Sequence, residues 1–400
     1  MKTLSSSFWC RIALLAGSSM LAGGISTEAH FYDIPEGQSV TVSEPLTDVG
    51  GPDLVKDGGG TLILTGSNSY SGSAYLRAGT LSLTGSGAVI NHITSPIHLA
   101  DGIFNLLNGA TLVTGDGMLA SSPDNQVSVL VDGANTSWSV YGNMRVGEAG
   151  SVLLEISGGA LLTTNGVVEL GYQEGGTDEN QVRVTIDKGV WENTGDLIFG
   201  NVELEILNGG RLTTNADVIF LTDAPSEITI SGSGSVWHHT SSEMVLDFET
   251  TIVLRDGGRL QIADGSGTLV FNDVTQFLLI GDCGCSDVSA GAGYFDGNRL
   301  TVSGSGNGGS VLFNHNETDY TFAADIEGSI YLAHYAGVTN FSGTLNLEGI
   351  GGIYLSGGTA RLLAQTAHQL NRVLVTSGAF EVGPNVQAPW MCWLWRTTEE

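Results

Sequence analysis

Apolar and polar residues alternate at period two in short runs along most of the chain. In 61–64 and 80–84, Leu62, Leu64, Leu81 and Leu83 fall on one side and Thr61, Ile63, Thr80 and Ser82 on the other, as in strands with one face toward a core. The run VRVTI at 182–186 sends Val182, Val184 and Ile186 inward and Arg183 and Thr185 outward. VELEI at 202–206 repeats this with Glu203 and Glu205 outward.

The runs recur with glycine-rich corners between them. The segment 58–85 reads GGGTLILTGSNSYSGSAYLRAGTLSLTG, and NGATLVTG, SGGALLTTNG, NGGRLTTN and DGGRLQIADG follow downstream. One marker glycine per copy, Gly109, Gly133, Gly158, Gly189, Gly209, Gly232 and Gly257, gives a mean period of roughly 25 residues, within the range of solenoid repeats. Stacked at the parallel-strand spacing of about 4.8 Å, some 350 residues make about 14 rungs and a rod on the order of 65 Å long. The pairs Gly158–Gly159, Gly209–Gly210 and Gly257–Gly258 mark corners that need positive φ or close backbone approach. Glycine fills 58 of 400 positions and costs about 1 kcal/mol each inside a helix, so sustained helix is excluded from the repeats. One stretch departs: TARLLAQTAHQLN at 359–371 lacks glycine and sets Leu362, Leu363, Ala367 and Leu370 at helical spacing, which reads either as a short helix or as an irregular rung.

These residues resemble a known family. Gly60, Leu62, Leu64, Gly66, Asn68, Tyr70, Gly72, Ala78, Gly79 and Leu81 match the autotransporter-associated β-strand repeat of bacterial type V secretion passengers. From Val131 to about Leu221 the chain is similar to a repeat shared by autotransporters and related exported proteins, with Trp138, Trp191 and Trp237 in matching places; SVLFNHNETDYTFAADIEG at 310–328 also resembles passenger sequence. The resemblance covers about 300 residues. It implies an all-β, right-handed parallel β-helix carried across the outer membrane by a C-terminal β-barrel.

The two ends carry further expectations. MKTLSSSFWCR, the 14-residue apolar run IALLAGSSMLAGGI and the small residues around Ala29 predict a signal peptide over 1–29, cleaved after Ala29; that run is too short to span a bilayer. Residues 30–56 are expected to cap the stack, 57–383 to form a single β-helical unit, and 384–400 to be an atypical tail. After Gly383 too few residues follow to supply barrel strands. The tail APWMCWLWRTTEE reads as the product of a truncated or frame-shifted gene, or as a capping rung with an aromatic plug. An intact chain would reach the cell surface or the medium; a truncated one would stay in the periplasm.

Charge narrows the partners. Fourteen Lys and Arg against 42 Asp and Glu leave a formal charge of -28, spread without acidic blocks. Such a surface repels nucleic acid. The calcium nonapeptide of repeat toxins is not present, and no cofactor is expected.

Candidate chemistry is sparse. Gly281, Asp282, Cys283 and Gly284 imitate a protease nucleophile turn with Cys for Ser. The turn needs a positioned His and a carboxylate, and His92, His98, His238 and His239 lie in repeat context. Cys283 and Cys285 close a very small disulfide loop or stay reduced; with Cys10 in the signal, Cys392 is the third cysteine of the mature chain. Zinc lacks a four-ligand spacing. His238 and His239, as strand neighbours, point to opposite faces. Asn316–Thr318 has the form of a glycosylation acceptor, discounted for a bacterial chain. Tyr70, Tyr172, Tyr294, Tyr320 and Tyr331 either line a binding face or stack with the rungs. The chain therefore reads as a non-catalytic, adhesin-like passenger contacting host cells, other bacteria or glycans. The alternative is a β-helical polysaccharide lyase, which needs Arg183, Arg211, Arg255 and Arg259 around one groove with carboxylates.

Overall fold

A computed structural model describes residues 29–47, 53–171, 181–221, 225–282, 290–303, 308–363 and 368–384, with the backbone of 393–395. Strand pairs with strand in parallel throughout, from His30–Asp33 on Leu54–Asp57 to Val373–Val382 on Trp393–Trp395. The chain is a β-solenoid of three faces. One rung runs Gly102–Leu107 on a long face, Thr111–Thr114 on a second face and Gly117–Leu119 on a short face; the next runs Gln126–Asp132, Ser137–Val140 and Met144–Val146. Each strand pairs with its counterpart one rung on.

Register reproduces the period read from the glycines. Ile103 pairs with Ser128 and Ser128 with Leu153, steps of 25 residues. The short face carries nine strands and then six, close to the 14 or so rungs expected. The largest step runs from Arg259 to Tyr294, 35 residues on one rung.

Alternation becomes burial as expected. Leu62, Leu64, Leu81, Leu83, Val182, Val184, Ile186, Val202, Leu204 and Ile206 are all buried, each worth about 1.5–3 kcal/mol of transfer free energy. On the second face one inward column reads Leu112, Trp138, Leu162, Trp191, Leu212, Trp237 and Leu260 in successive rungs. Larger and smaller side chains thus alternate down this column.

Corners divide two demands between adjacent residues. Asn208 and Gly209 both have positive φ (54° and 92°), as do Asp256 and Gly257 (52° and 83°), the paired left-handed conformation of a type I′ turn. Gly210 and Gly258, which follow, have ordinary φ but lie against the carbonyl oxygens of Ile186 and Ile230 one rung away, where a Cβ would collide.

One buried charge interrupts the core. Lys56 stands in the short-face column that continues as Leu76, Leu99 and Leu119 and is fully buried. Its Nζ donates to the carbonyls of Asp57 (2.8 Å), Gly58 (2.7 Å) and Ala78 (3.0 Å). Burial pulls its pKa down, opposed by Asp57 and Asp33. All three ammonium protons are used.

Helical spacing at 359–371 does not yield a helix in the described part. Thr359–Leu362 belong to the strand Gly352–Leu362 and Gln369–Leu370 to another; 364–367 lie outside the described residues. That strand bends across two faces, its first half on Tyr331–Ala336 and its second on Val338–Phe341, and cross-rung pairing outweighs local propensity. Among the described residues no helix is long and apolar enough to cross a membrane. The predicted signal peptide and most of the aromatic tail also lie outside the described residues, although the backbone of Trp393–Trp395 extends the long face.

Candidate functional site

Function in a filled solenoid falls to its outward side chains and to irregular rungs. Hollows interrupt the described surface on each of the three faces. The long face has one of about 650 Å³ around Ile103, Ser128, Leu153 and Arg183. The short face has one of about 430 Å³ at Asp217, Ile219, Glu243 and Asp247. The second face has one of about 500 Å³ lined by Asp256, Arg259, Tyr294, Glu317 and the turn at Ser233.

The second-face hollow is built by the longest rung. Where that rung returns, Gly291 and Ala292 fold back on the Asp256–Gly257 corner, whose amides donate to their carbonyls at 2.8 and 2.9 Å. Asp256 Oδ1 in turn accepts from Gly291 N at 3.0 Å. Register stacks Arg259 on Tyr294 as outward neighbours; the guanidinium lies 5.1 Å from the ring centroid and pairs with Asp296. Beneath, the buried Tyr320 lies 6.0 Å from Tyr294, and burial drives its hydroxyl pKa well up. Tyr294 itself is 44% exposed.

The residues singled out from sequence separate. Tyr70 and Tyr320 are buried, Tyr294 and Tyr331 exposed; Tyr172 lies outside the described residues. Tyr70 packs edge-on to His92 at 4.0 Å, both in the core. His98 faces out and stacks on Tyr75 at 4.7 Å. His239 points inward, its Nδ1 on the Thr214 hydroxyl (3.0 Å) and its Nε2 on the Glu243 carbonyl (2.9 Å), while its neighbour His238 faces out, 3.2 Å from Asp264. His92 and His239 stand in one inward column six rungs apart. Cys283, Gly284, Cys285 and Cys392 lie outside the described residues. Among the described residues no group of three or more His, Cys, Asp or Glu is placed to hold a metal.

The four arginines do not share a groove. Arg183 faces out from the long face and pairs with Glu203 one rung on, and Arg255 ends a strand of that face. Arg211 and Arg259 stand on the second face, two rungs apart.

Residues 54–83 match a family model described as the passenger-associated-transport-repeat. The chain carries an autotransporter passenger repeat. No curated protein and no solved structure matches it. On the solenoid the matched residues span one full turn, Leu54–Asp57, Thr61–Leu64 and Ser67–Asn68, and two strands of the next, Ala74–Leu76 and Thr80–Thr84. Three of its polar residues, Lys56, Asn68 and Ser82, are core residues. Asn68 is buried, accepting from Leu46 N at 3.0 Å and donating to the Gly66 carbonyl at 2.9 Å. At Gly79, where φ is +74°, a Cβ would strike the Gly58 and Gly60 carbonyls and stand 2.8 Å from Lys56 Nζ. The passenger repeat is thus a rung-closing device, and the chain is a passenger-like β-helical stem.

Sequence reading named Arg259 and Tyr294 separately, under two different functions, and missed Asp256 and Glu317. The signal present was the break in the 25-residue spacing after Gly257, which marks an enlarged rung, the place where repeat insertions form surface loops.

Proposed function

We propose that this chain is an exported, non-catalytic stem whose outward columns contact other surfaces, those of host cells, other bacteria or glycans. The observation that carries the reading is the passenger repeat at 54–83 set within a stack of parallel rungs. A rod of this kind extends by adding rungs, keeps its core filled, and offers ladders of side chains at fixed spacing. Export to the cell surface or beyond fits the same repeat, and the adhesin-like role rests on the ladders of outward side chains. Against the lyase alternative, Arg183 and Arg211 lie on different faces. The test is retention of the purified chain on epithelial cells, bacterial cells and immobilised glycans against a bovine albumin control. Retention no greater than the control on all three removes the adhesive role, and turnover of polyuronate by the same preparation restores the lyase.

A further inference from the structure

We infer that the second-face hollow is a binding subsite for a neutral saccharide, held by Tyr294, Arg259, Asp256 and Glu317. The inference rests on the reading of the chain as a surface-contacting stem and names the ligand class that one of its faces takes. Its volume of about 500 Å³ falls within the span of small-molecule sites, about 300–1,000 Å³. The site lies on the longest rung, from Arg259 to Tyr294, where Gly291 and Ala292 fold back on the Asp256–Gly257 corner. Four features of the lining select the ligand. Tyr294 offers part of an exposed ring, a surface for the C–H face of a sugar. The Arg259 guanidinium is oriented by that ring and by Asp296, leaving a rigid donor fork at the rim. With Arg259 offset by Asp296, the carboxylates of Asp256 and Glu317 leave the lining negative, which turns away anionic ligands. Those carboxylates accept hydroxyl protons while the guanidinium donates to hydroxyl oxygens, and an uncharged polyol satisfies both. Asp256 is fixed for this task, its left-handed backbone (φ 52°) and the bond from Gly291 N setting the carboxylate on the corner.

The test uses the full chain on an array of neutral glycans, with sialylated glycans and immobilised spermine as charged controls, followed by titration calorimetry of the glycan retained. The expected result is capture of a neutral glycan, a loss of about tenfold or more for Tyr294→Ala, a smaller loss for the exposed Glu317→Gln, and no change for Arg183→Ala on the long face. Circular dichroism of each variant confirms the stack. Capture of no neutral glycan, capture of spermine or sialylated glycans alone, or equal affinity of Tyr294→Ala and wild type each overturns the assignment. Cell retention is read in parallel: if cells hold Tyr294→Ala as well as wild type, the stem's surface-contacting role stands and this subsite falls.

Discussion

The indole N–H of Trp191 donates to the hydroxyl of Thr164, one rung earlier, at 2.9 Å. Trp138 does the same to Thr114 at 3.3 Å and Trp237 to Thr214 at 3.1 Å, so each buried tryptophan ties two rungs together through a polar pair sealed in the core. The Thr164 hydroxyl in turn donates to Asn193 Oδ1 at 2.8 Å, and Asn193 donates to the Gly195 carbonyl.

Replacing Thr164 with the near-isosteric Val leaves a buried indole N–H and a buried amide oxygen without their partner. The expected loss is about 1–3 kcal/mol despite the conserved volume, read from the urea midpoint. Trp191→Phe in the Thr164→Val background should cost less than Trp191→Phe alone in wild type, since the orphaned donor has gone; equal costs in both backgrounds would show that the bond is energetically idle.

The glycine corners separate into two kinds of site. Gly209 has positive φ and open space around it, whereas Gly210 abuts the Ile186 carbonyl. Gly209→Asn should be nearly neutral, within about 1 kcal/mol, because Asn tolerates the left-handed region. Gly210→Ala forces two rungs apart and should cost about 3 kcal/mol. Equal melting temperatures for the two variants would refute this division.

Much of this architecture was legible in the chain itself, because a solenoid writes its register as a period. Leu62, Leu81, Val184 and Leu204 went inward as alternation required, and Gly209 took positive φ. What stayed hidden needed three dimensions. Lys56 reads as a surface residue, and only the stacking of Gly58 and Ala78 around it reveals three carbonyls aimed at one ammonium. The helical spacing at 359–371 lost to pairing with Val338–Phe341. The hollow joins Asp256 to Glu317 across the longest rung, where the period fails and sequence distance says nothing of proximity.

Lys56 therefore carries a prediction of its own. Lys56→Met keeps the length and apolar stem but withdraws the donor from the Asp57, Gly58 and Ala78 carbonyls, stranding partly buried acceptors at a cost of about 1–3 kcal/mol. The loss should concentrate in the first rungs, seen as faster amide exchange over 54–83 with little change beyond residue 200. A uniform rise in exchange along the stem would contradict it.

Charge sets a further expectation. The chain carries -28, and its rung-to-rung ion pairs, such as Arg145–Glu169 at 2.7 Å and Arg361–Glu381, are exposed and individually worth about 0–1 kcal/mol. Self-repulsion is expected to exceed what these pairs return. Raising NaCl from about 10 to about 300 mM shortens the Debye length from about 30 Å to below 10 Å and should raise the melting temperature. A fall on adding salt would mean that the ion pairs dominate.

Acid should act near the other end, through two buried imidazoles that share one hydroxyl. His334 Nδ1 lies 3.0 Å from the Gly357 carbonyl, which can only accept, so that nitrogen carries the proton and Nε2 accepts from Thr339 at 3.1 Å. The Thr339 oxygen then accepts from His315 Nε2 at 2.9 Å, leaving His315 Nδ1 as a bare lone pair against Gly337, without a partner. A second proton on His315 would have no acceptor, and Tyr320 and Phe313, the rings packed on the pair, supply no charge. Desolvation first, and the neighbouring His334 second, push the pKa of His315 from 6.5 to about 4; burial also lowers His334, against its bond to Gly357. Because the folded state holds the neutral form more strongly than the unfolded chain does, stability is complete above pH 6.5 and declines as pH falls from 6.5 to about 4, by on the order of 2–3 kcal/mol. His315→Phe keeps the ring and removes the titration, so its stability should change less across that window than that of wild type. Amide exchange over 310–362 at pH 7 and pH 4.5 would read the difference locally, and identical pH profiles for the two proteins would remove His315 as the source.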